Sequence, residues 1–324
     1  QAPWYKLFRD FSRNGTSISR MGKALKKQKQ LQQSLEVVPT FKIAFCFSGQ
    51  LRTWRKCIHT WQDMFKDLKE NHGVTDIDVF CHIWDHNTLQ QTIATAKYGH
   101  DNIIDNSIVL SDAEISSYLE QLNPVAYKIS NTSVSKSATQ QTVDQTSRET
   151  EHLYGKCNNQ WMSPQFYSIM YAAHLKKMHE IKHHFNYDMC VRMRNDLYLG
   201  DSLADLSIDN MLHPKFNTVY SCHTGVDNSQ WFGRRLGDLF WCADSPTFDK
   251  MSNFYHWLPT LGSNVFRHPL KSHGPEHIFY YYAKMFNISV DALTDHPKIA
   301  RDADYIKLKQ DIGAGLLGSH EIIC

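Results

Sequence analysis

The chain has 324 residues, 42% hydrophobic and 21% charged, an ordinary globular composition that excludes a disordered, collagen-like or membrane-embedded protein. A net charge of +2 with histidine neutral gives no support to nucleic-acid binding, which needs a strongly basic face. No apolar run approaches the ~18 residues of a membrane span, and no signal-peptide pattern is visible, although a first residue of Gln leaves a longer parent protein open.

Residues 1 to 40 are basic and polar, with Arg9, Arg13, Arg20, Lys23, Lys26, Lys27 and Lys29. Met21 to Leu35 is rich in helix formers and poor in apolar residues, which predicts an exposed helical arm. The globular part starts at Phe41, where FKIAFCF reads as a buried strand ending in the turn Ser48-Gly49-Gln50. A helix is expected from Trp54 to Glu70, then a strand from Ile77 to Trp84. Strand, helix and strand in this succession form the βαβ unit of a parallel sheet.

Ser111 caps an expected helix that runs to Leu122, and a third strand spans Val125 to Ile129. Residues 130–150 are rich in Ser, Thr and Gln and lack a period, so a mobile loop is expected there. From Ser163 to His184 the apolar spacing is helical, with Ser163 as cap and Pro164 at the first helical position. Tyr187 to Met193 is a strand, Leu239 to Cys242 another, and Pro275 to Met285 an aromatic-rich helix. The expected organisation is a 1–40 arm followed by one α/β domain over 41–324.

The eight cysteines form no CxxC pair, and Cys46, Cys81, Cys190 and Cys242 lie in apolar, strand-like runs where a thiol behaves as a small hydrophobe. This usage points to a reducing, cytoplasmic location. Sequons at Asn14, Asn131 and Asn287 are short enough to arise by chance. The 18 histidines are scattered, with no zinc-spaced His/Cys quartet.

Three strand ends carry polar clusters. In Asp188–Gly200 (DMCVRMRNDLYLG), Arg192 and Arg194 lie two apart and share one strand face, with Asn195 and Asp196 following. Ligands of open α/β sheets bind outside the carboxyl ends of the strands. A carboxylate there holds a divalent cation, and guanidinium groups pair with a departing diphosphate. An Arg–Asp ion pair that merely closes the strand is the alternative. After the first strand, Ser48, Gly49, Gln50, Leu51, Arg52 and Thr53 form a βα turn suited to a nucleotide. It matches neither GxGxxG nor the P-loop. At the end of the second strand, Trp84 offers a face for a base or sugar and Asp85 a contact to ribose, or a plain strand-end cap.

In this order FCFSGQLRT (45–53), DVFCHIWD (78–85), PQFYSIMYAAHLKK (164–177) and YDMCVRMRNDLYL (187–199) resemble a set of glycosyltransferase-like proteins of large algal DNA viruses, phages and bacterial surface-polysaccharide clusters. GDLFWCADSPTFDKM (237–251) and GPEHIFYYYA (274–283) add weaker matches. The resemblance implies a GT-A-like fold, a single Rossmann-type, mostly parallel sheet flanked by helices. It implies transfer of a sugar from a nucleotide-sugar donor to an oligosaccharide or glycoprotein acceptor, with Mn²⁺ or Mg²⁺ as cofactor. Asp196 stands at the metal carboxylate, Ser48 to Thr53 at the donor loop, and Arg192, Arg194 and Asn195 beside the diphosphate. The chain departs from the pattern in having Arg-Asn-Asp in place of DxD. Asp238 and Glu276 are the candidates for the base that takes the acceptor proton, and His273 for a diphosphate contact. A non-catalytic glycan-binding or assembly module on a decayed transferase fold is the other reading.

Overall fold

The computed structural model describes residues 40–88, 107–131, 133–135, 137, 157–197, 199, 212–221, 236–237, 239–258 and 275–293. The chain divides into Gln1–Thr40 and Phe41–Cys324. Every described strand and helix belongs to the second unit; the expected 1–40 helical arm lies outside the described residues.

The elements in chain order are β1 (Phe41–Gly49), α1 (Trp54–Asn71), β2 (Val74–Trp84), the short β3 (His86–Thr88) and β4 (Ser107–Val109), α2 (Asp112–Leu122) and β5 (Ala126–Ser130). Then come α3 (Cys157–His183), β6 (Met189–Arg194), β7 (Thr218–Ser221), β8 (Phe240–Ala243), α4 (Ser245–Ser252), α5 (Pro275–Met285) and β9 (Ser289–Ala292). Seven strands form one sheet in the order β5-β2-β1-β6-β8-β7-β9, and β3 pairs with β4 in a separate ribbon. β8 runs antiparallel to both neighbours, while every other pairing in the large sheet is parallel. The domain is α/β, with a mostly parallel sheet flanked by helices, as expected.

Helices cover both faces, which is why β1 reads as an almost unbroken apolar run. Ile43, Phe45 and Phe47 join a core with Trp54, Trp61, Met64 and Leu68 of α1 and Tyr118 of α2. Ala44 and Cys46 pack into a second core with Phe166 and Ala173 of α3, Phe248 of α4 and Phe279 of α5. α1 forms because Trp54, Cys57, Ile58, Trp61, Met64 and Leu68 recur at helical spacing and are all buried. α2 starts at Ser111, whose side chain accepts the Glu114 N–H at 3.2 Å, and stops at Asn123 in the left-handed conformation.

Several boundaries differ from expectation. β2 begins at Val74 rather than Ile77, because its polar start ladders onto Phe41 and Lys42 of β1 through the backbone. α3 begins at Cys157, so Pro164 lies inside the helix and Ser163 does not cap it. Proline's fixed φ suits a helix, and its cost is the lost N–H bond and crowding in the preceding turn. The short strands β7 and β9 and the helix α4 had no periodic signal long enough to register. Of the Ser/Thr-rich 130–150 segment, Ser130 closes β5 and residues 133–135 are helical, while most of the remainder lies outside the described residues. Cys46, Cys57, Cys81, Cys190 and Cys242 are all buried. Among the described residues no helix is long and apolar enough to cross a membrane.

Candidate functional site

From β1 the chain crosses to β2 on one side, whereas the strands that follow β6 lie on the other side. The β1/β6 boundary is therefore the topological switch point, the position at which ligands of open α/β sheets generally bind. Ser48–Thr53 leaves β1 there and Asn195–Leu197 leaves β6. Ser48 pairs in register with His82 of β2 and Arg194 of β6, so these three side chains share one sheet face. The Ser48 side chain is buried, and its hydroxyl finds no hydrogen-bond partner among the described residues.

The turn is held in an unusual conformation. Gly49 has φ +118°, and Arg52, which carries a side chain, has φ +46°. A left-handed residue other than glycine costs about 1–2 kcal/mol. Polar contacts hold Arg52 in place. Its N–H donates to Asn87 Oδ1 at 3.0 Å, its Nε to Gln50 Oε1 at 3.0 Å, and its Nη1 to Asp196 Oδ2 at 3.2 Å. Leu51 is buried and anchors the turn in the core. Thr53 precedes α1 without a side-chain cap, and no acidic residue occupies the first helical turn. The positive end of the helix dipole therefore meets no carboxylate of its own first turn.

On the β6 side Arg194 forks onto Asp196, with Nε to Oδ1 and Nη2 to Oδ2 both at 2.8 Å. Asp196 thus joins two guanidinium groups from different strand ends, and its side chain is 4% exposed. Arg192, one register step deeper beside Cys46, is buried and donates from Nη1 to the Leu239 carbonyl at 2.7 Å. The two arginines share a face, as their spacing implied, yet only Arg194 reaches Asp196. Asn195 is buried, its Nδ2 donating to the Gly49 carbonyl at 2.8 Å and its Oδ1 accepting from the Tyr118 hydroxyl at 2.7 Å. Trp61 Nε1 donates to the Leu197 carbonyl at 2.6 Å, which ties α1 to the same turn.

At the end of β2, Trp84 is 3% exposed, and Asp85 accepts from or pairs with His86 Nδ1 at 2.9 Å. His82 lies beneath them with Nδ1 2.7 Å from Ser168 Oγ and Nε2 3.0 Å from Ser130 Oγ. Its pKa is pushed down to about 3, by burial first and by the Lys128 charge second, so the ring is neutral. Trp84, Tyr167 and Tyr171 pack around it within 4.9–5.6 Å between ring centroids.

Asp238 and His273 lie outside the described residues. Glu276 falls in the first turn of α5, and its side chain lies outside them too. Among the described residues no group of three or more His, Cys, Asp or Glu is placed to hold a metal ion. The residues that sequence reasoning missed are Tyr118 and Asn87. Neither has a local signal: Tyr118 reads as an amphipathic core position of α2, and Asn87 as a turn residue after Asp85.

No protein-family model matches the chain, and no curated protein matches it. Among solved structures, the apo form of mouse xyloside xylosyltransferase 1 matches over 78% of this chain and 84% of that one, at 11% identity and a TM-score of 0.31.

Proposed function

We propose that this chain is a GT-A-like glycosyltransferase that moves a sugar from a nucleotide-sugar donor to a glycan acceptor. The observation that carries the reading is the meeting of Ser48, Arg52 and Arg194 at the β1/β6 switch point, with Asp196 gathering both guanidinium groups. Guanidinium groups match phosphate oxygens in fork geometry and stabilise the charge that grows on a departing nucleoside diphosphate. The buried Ser48 hydroxyl adds a donor on the same face. Asp85 stands on the β2 side, where ribose belongs if the diphosphate lies against the arginines, whereas Trp84, expected to offer a face to a base, is 3% exposed and packed among His82, His86 and Tyr167.

The Arg-Asn-Asp sequence bears on the cofactor. Mn²⁺ or Mg²⁺ needs open carboxylate oxygens, and both oxygens of Asp196 already accept from arginine. The described residues do not fit a divalent cation, so the charge stabilisation is assigned to Arg52 and Arg194. Asp238 or Glu276 takes the acceptor hydroxyl's proton in this reading. The acceptor is an oligosaccharide or glycoprotein of a viral or cell surface, as the resemblance to viral and bacterial polysaccharide transferases suggests.

One observation favours a second reading, a non-catalytic glycan-binding or assembly module: the carboxylate at the metal position is engaged by protein groups. A thermal-shift screen with UDP-, GDP-, CMP- and dTDP-sugars, with and without Mn²⁺, separates the two. A ligand that binds only the folded state at 100 times its Kd stabilises by about 2.7 kcal/mol. The transferase reading expects a Tm rise with one nucleotide class, equal with and without Mn²⁺. No rise with any donor, together with binding of free glycan, selects the module.

A further inference from the structure

The β1/β6 ladder ends at Ser48 paired with Arg194. Just beyond it Gly49 turns away with φ +118°. There the Asn195 side chain takes over from the strand, donating to the Gly49 carbonyl at 2.8 Å. A carbonyl only accepts, so the amide nitrogen must face it, and the amide oxygen then faces Tyr118, whose hydroxyl donates at 2.7 Å. Asn195 and Tyr118 are both 0% exposed, and the Gly49 carbonyl and the Tyr118 hydroxyl take both ends of this amide, so it faces the protein rather than a ligand. Tyr118 also meets the far end of the same turn: its ring stands edge-on to Trp54, the first residue of α1, at 5.2 Å and 87°. One α2 side chain therefore braces the donor turn where it leaves β1 and where it enters α1.

We infer that Tyr118 and Asn195 are positioning residues that set the Gly49–Thr53 turn, and through it Arg52, for the donor diphosphate. The link to the donor rests on the function proposed above; the bracing of the turn does not. In this role Asn195 orients the loop that binds rather than binding itself. The hydroxyl is suited to the task because burial raises the Tyr118 pKa and keeps the donor protonated.

Tyr118→Phe keeps the ring and removes only the hydroxyl. Hydrogen exchange followed by mass spectrometry on the intact chain should show the Gly49–Thr53 amides exchanging about tenfold faster, with β1 residues 43–47 unchanged. Under the transferase reading the donor KM rises about five- to tenfold while the acceptor KM stays constant. A merely structural loss would raise exchange throughout the domain and change both constants together. Asn195→Asp, which sets a carboxylate against the Gly49 carbonyl, should exceed Tyr118→Phe in both readouts, and it serves if the phenylalanine variant fails to fold. Unchanged exchange in the turn, or an increase spread evenly over the fold, overturns the inference. A wild-type chain that binds no nucleotide sugar overturns the proposed function, while the exchange experiment still decides whether the turn is braced.

Discussion

Two charged clusters sit inside this domain, and they differ in composition and surroundings. Behind the sheet, Lys176 of α3 pairs with Glu180 at 3.1 Å and with Asp249 of α4 at 2.6 Å, while Lys177 reaches the same two carboxylates at 3.3 and 3.1 Å. Ser245 and the Tyr187 N–H complete the bonds to Glu180. Two ammonium groups face two carboxylates, and Lys176 and Glu180 are 0% and 1% exposed. At the switch point, two guanidinium groups meet one carboxylate, and the arginine side chains are 24% and 17% exposed. The first cluster is balanced, with its Lys176–Glu180 half sealed from solvent and its Lys177–Asp249 half 42% and 21% exposed, suited to fastening α3 to α4. The second gathers like charges at the ends of two neighbouring central strands, an excess of positive charge that the proposed function assigns to an anionic ligand.

The largest expected effect comes from opening the balanced cluster. Lys176→Ala leaves two carboxylates short of their buried partner and should cost about 3–5 kcal/mol in urea unfolding. A loss below about 1 kcal/mol would show that water reaches this cluster and that the contrast is false. Next is the switch point: Arg194→Ala should weaken donor affinity about 10- to 100-fold, equivalent to about 1.4–2.8 kcal/mol, with a smaller fall in Tm than Lys176→Ala. Arg194→Lys should restore little of it, because an ammonium cannot fork onto Asp196. Calorimetric titration that finds donor affinity intact in both variants removes the arginine from the site.

A third test uses pH. His82 has its folded pKa depressed to about 3, below the usual 6.5. Its stabilising share is therefore complete above the unfolded value and is lost as pH falls from about 6.5 toward 3, because only the unfolded chain takes the proton in that window. The slope is at most about 1.4 kcal/mol per pH unit, and His82→Gln should remove that part of it. An unchanged slope in His82→Gln means the acid sensitivity arises elsewhere. The smallest effect is expected from Lys177, which shares the balanced cluster but is 42% exposed. Solvent screens its charge, so Lys177→Ala should cost under about 1 kcal/mol. A loss equal to that of Lys176→Ala would mean the cluster acts as a unit regardless of exposure.

Much of the site was legible before the structure because its pieces are local. The turn at Ser48-Gly49-Gln50 shows where an apolar run stops, and the Arg194–Asp196 fork joins residues two apart. The contact of Arg52 with Asp196 spans 144 positions, and that of Tyr118 with Asn195 spans 77. Nothing in the spacing of either residue signals its partner. For the same reason Asn195 read as a ligand-facing amide beside two arginines, whereas the fold buries it beneath the turn.

By itself, the amino-acid order determined β1, α1 and β2, the helical stripe of α3 and the polar punctuation at three strand ends. These are set by periodicity, propensity and turn chemistry over a few residues. Tertiary structure alone decided the strand order, the reversal of β8, the short strands β7 and β9, and the partners of Asp196 and Asn195. Those outcomes depend on which distant segments bury each other's apolar faces and satisfy each other's backbone. A four-residue strand such as β7 or β9 owes its existence to its neighbours in the sheet rather than to its own sequence.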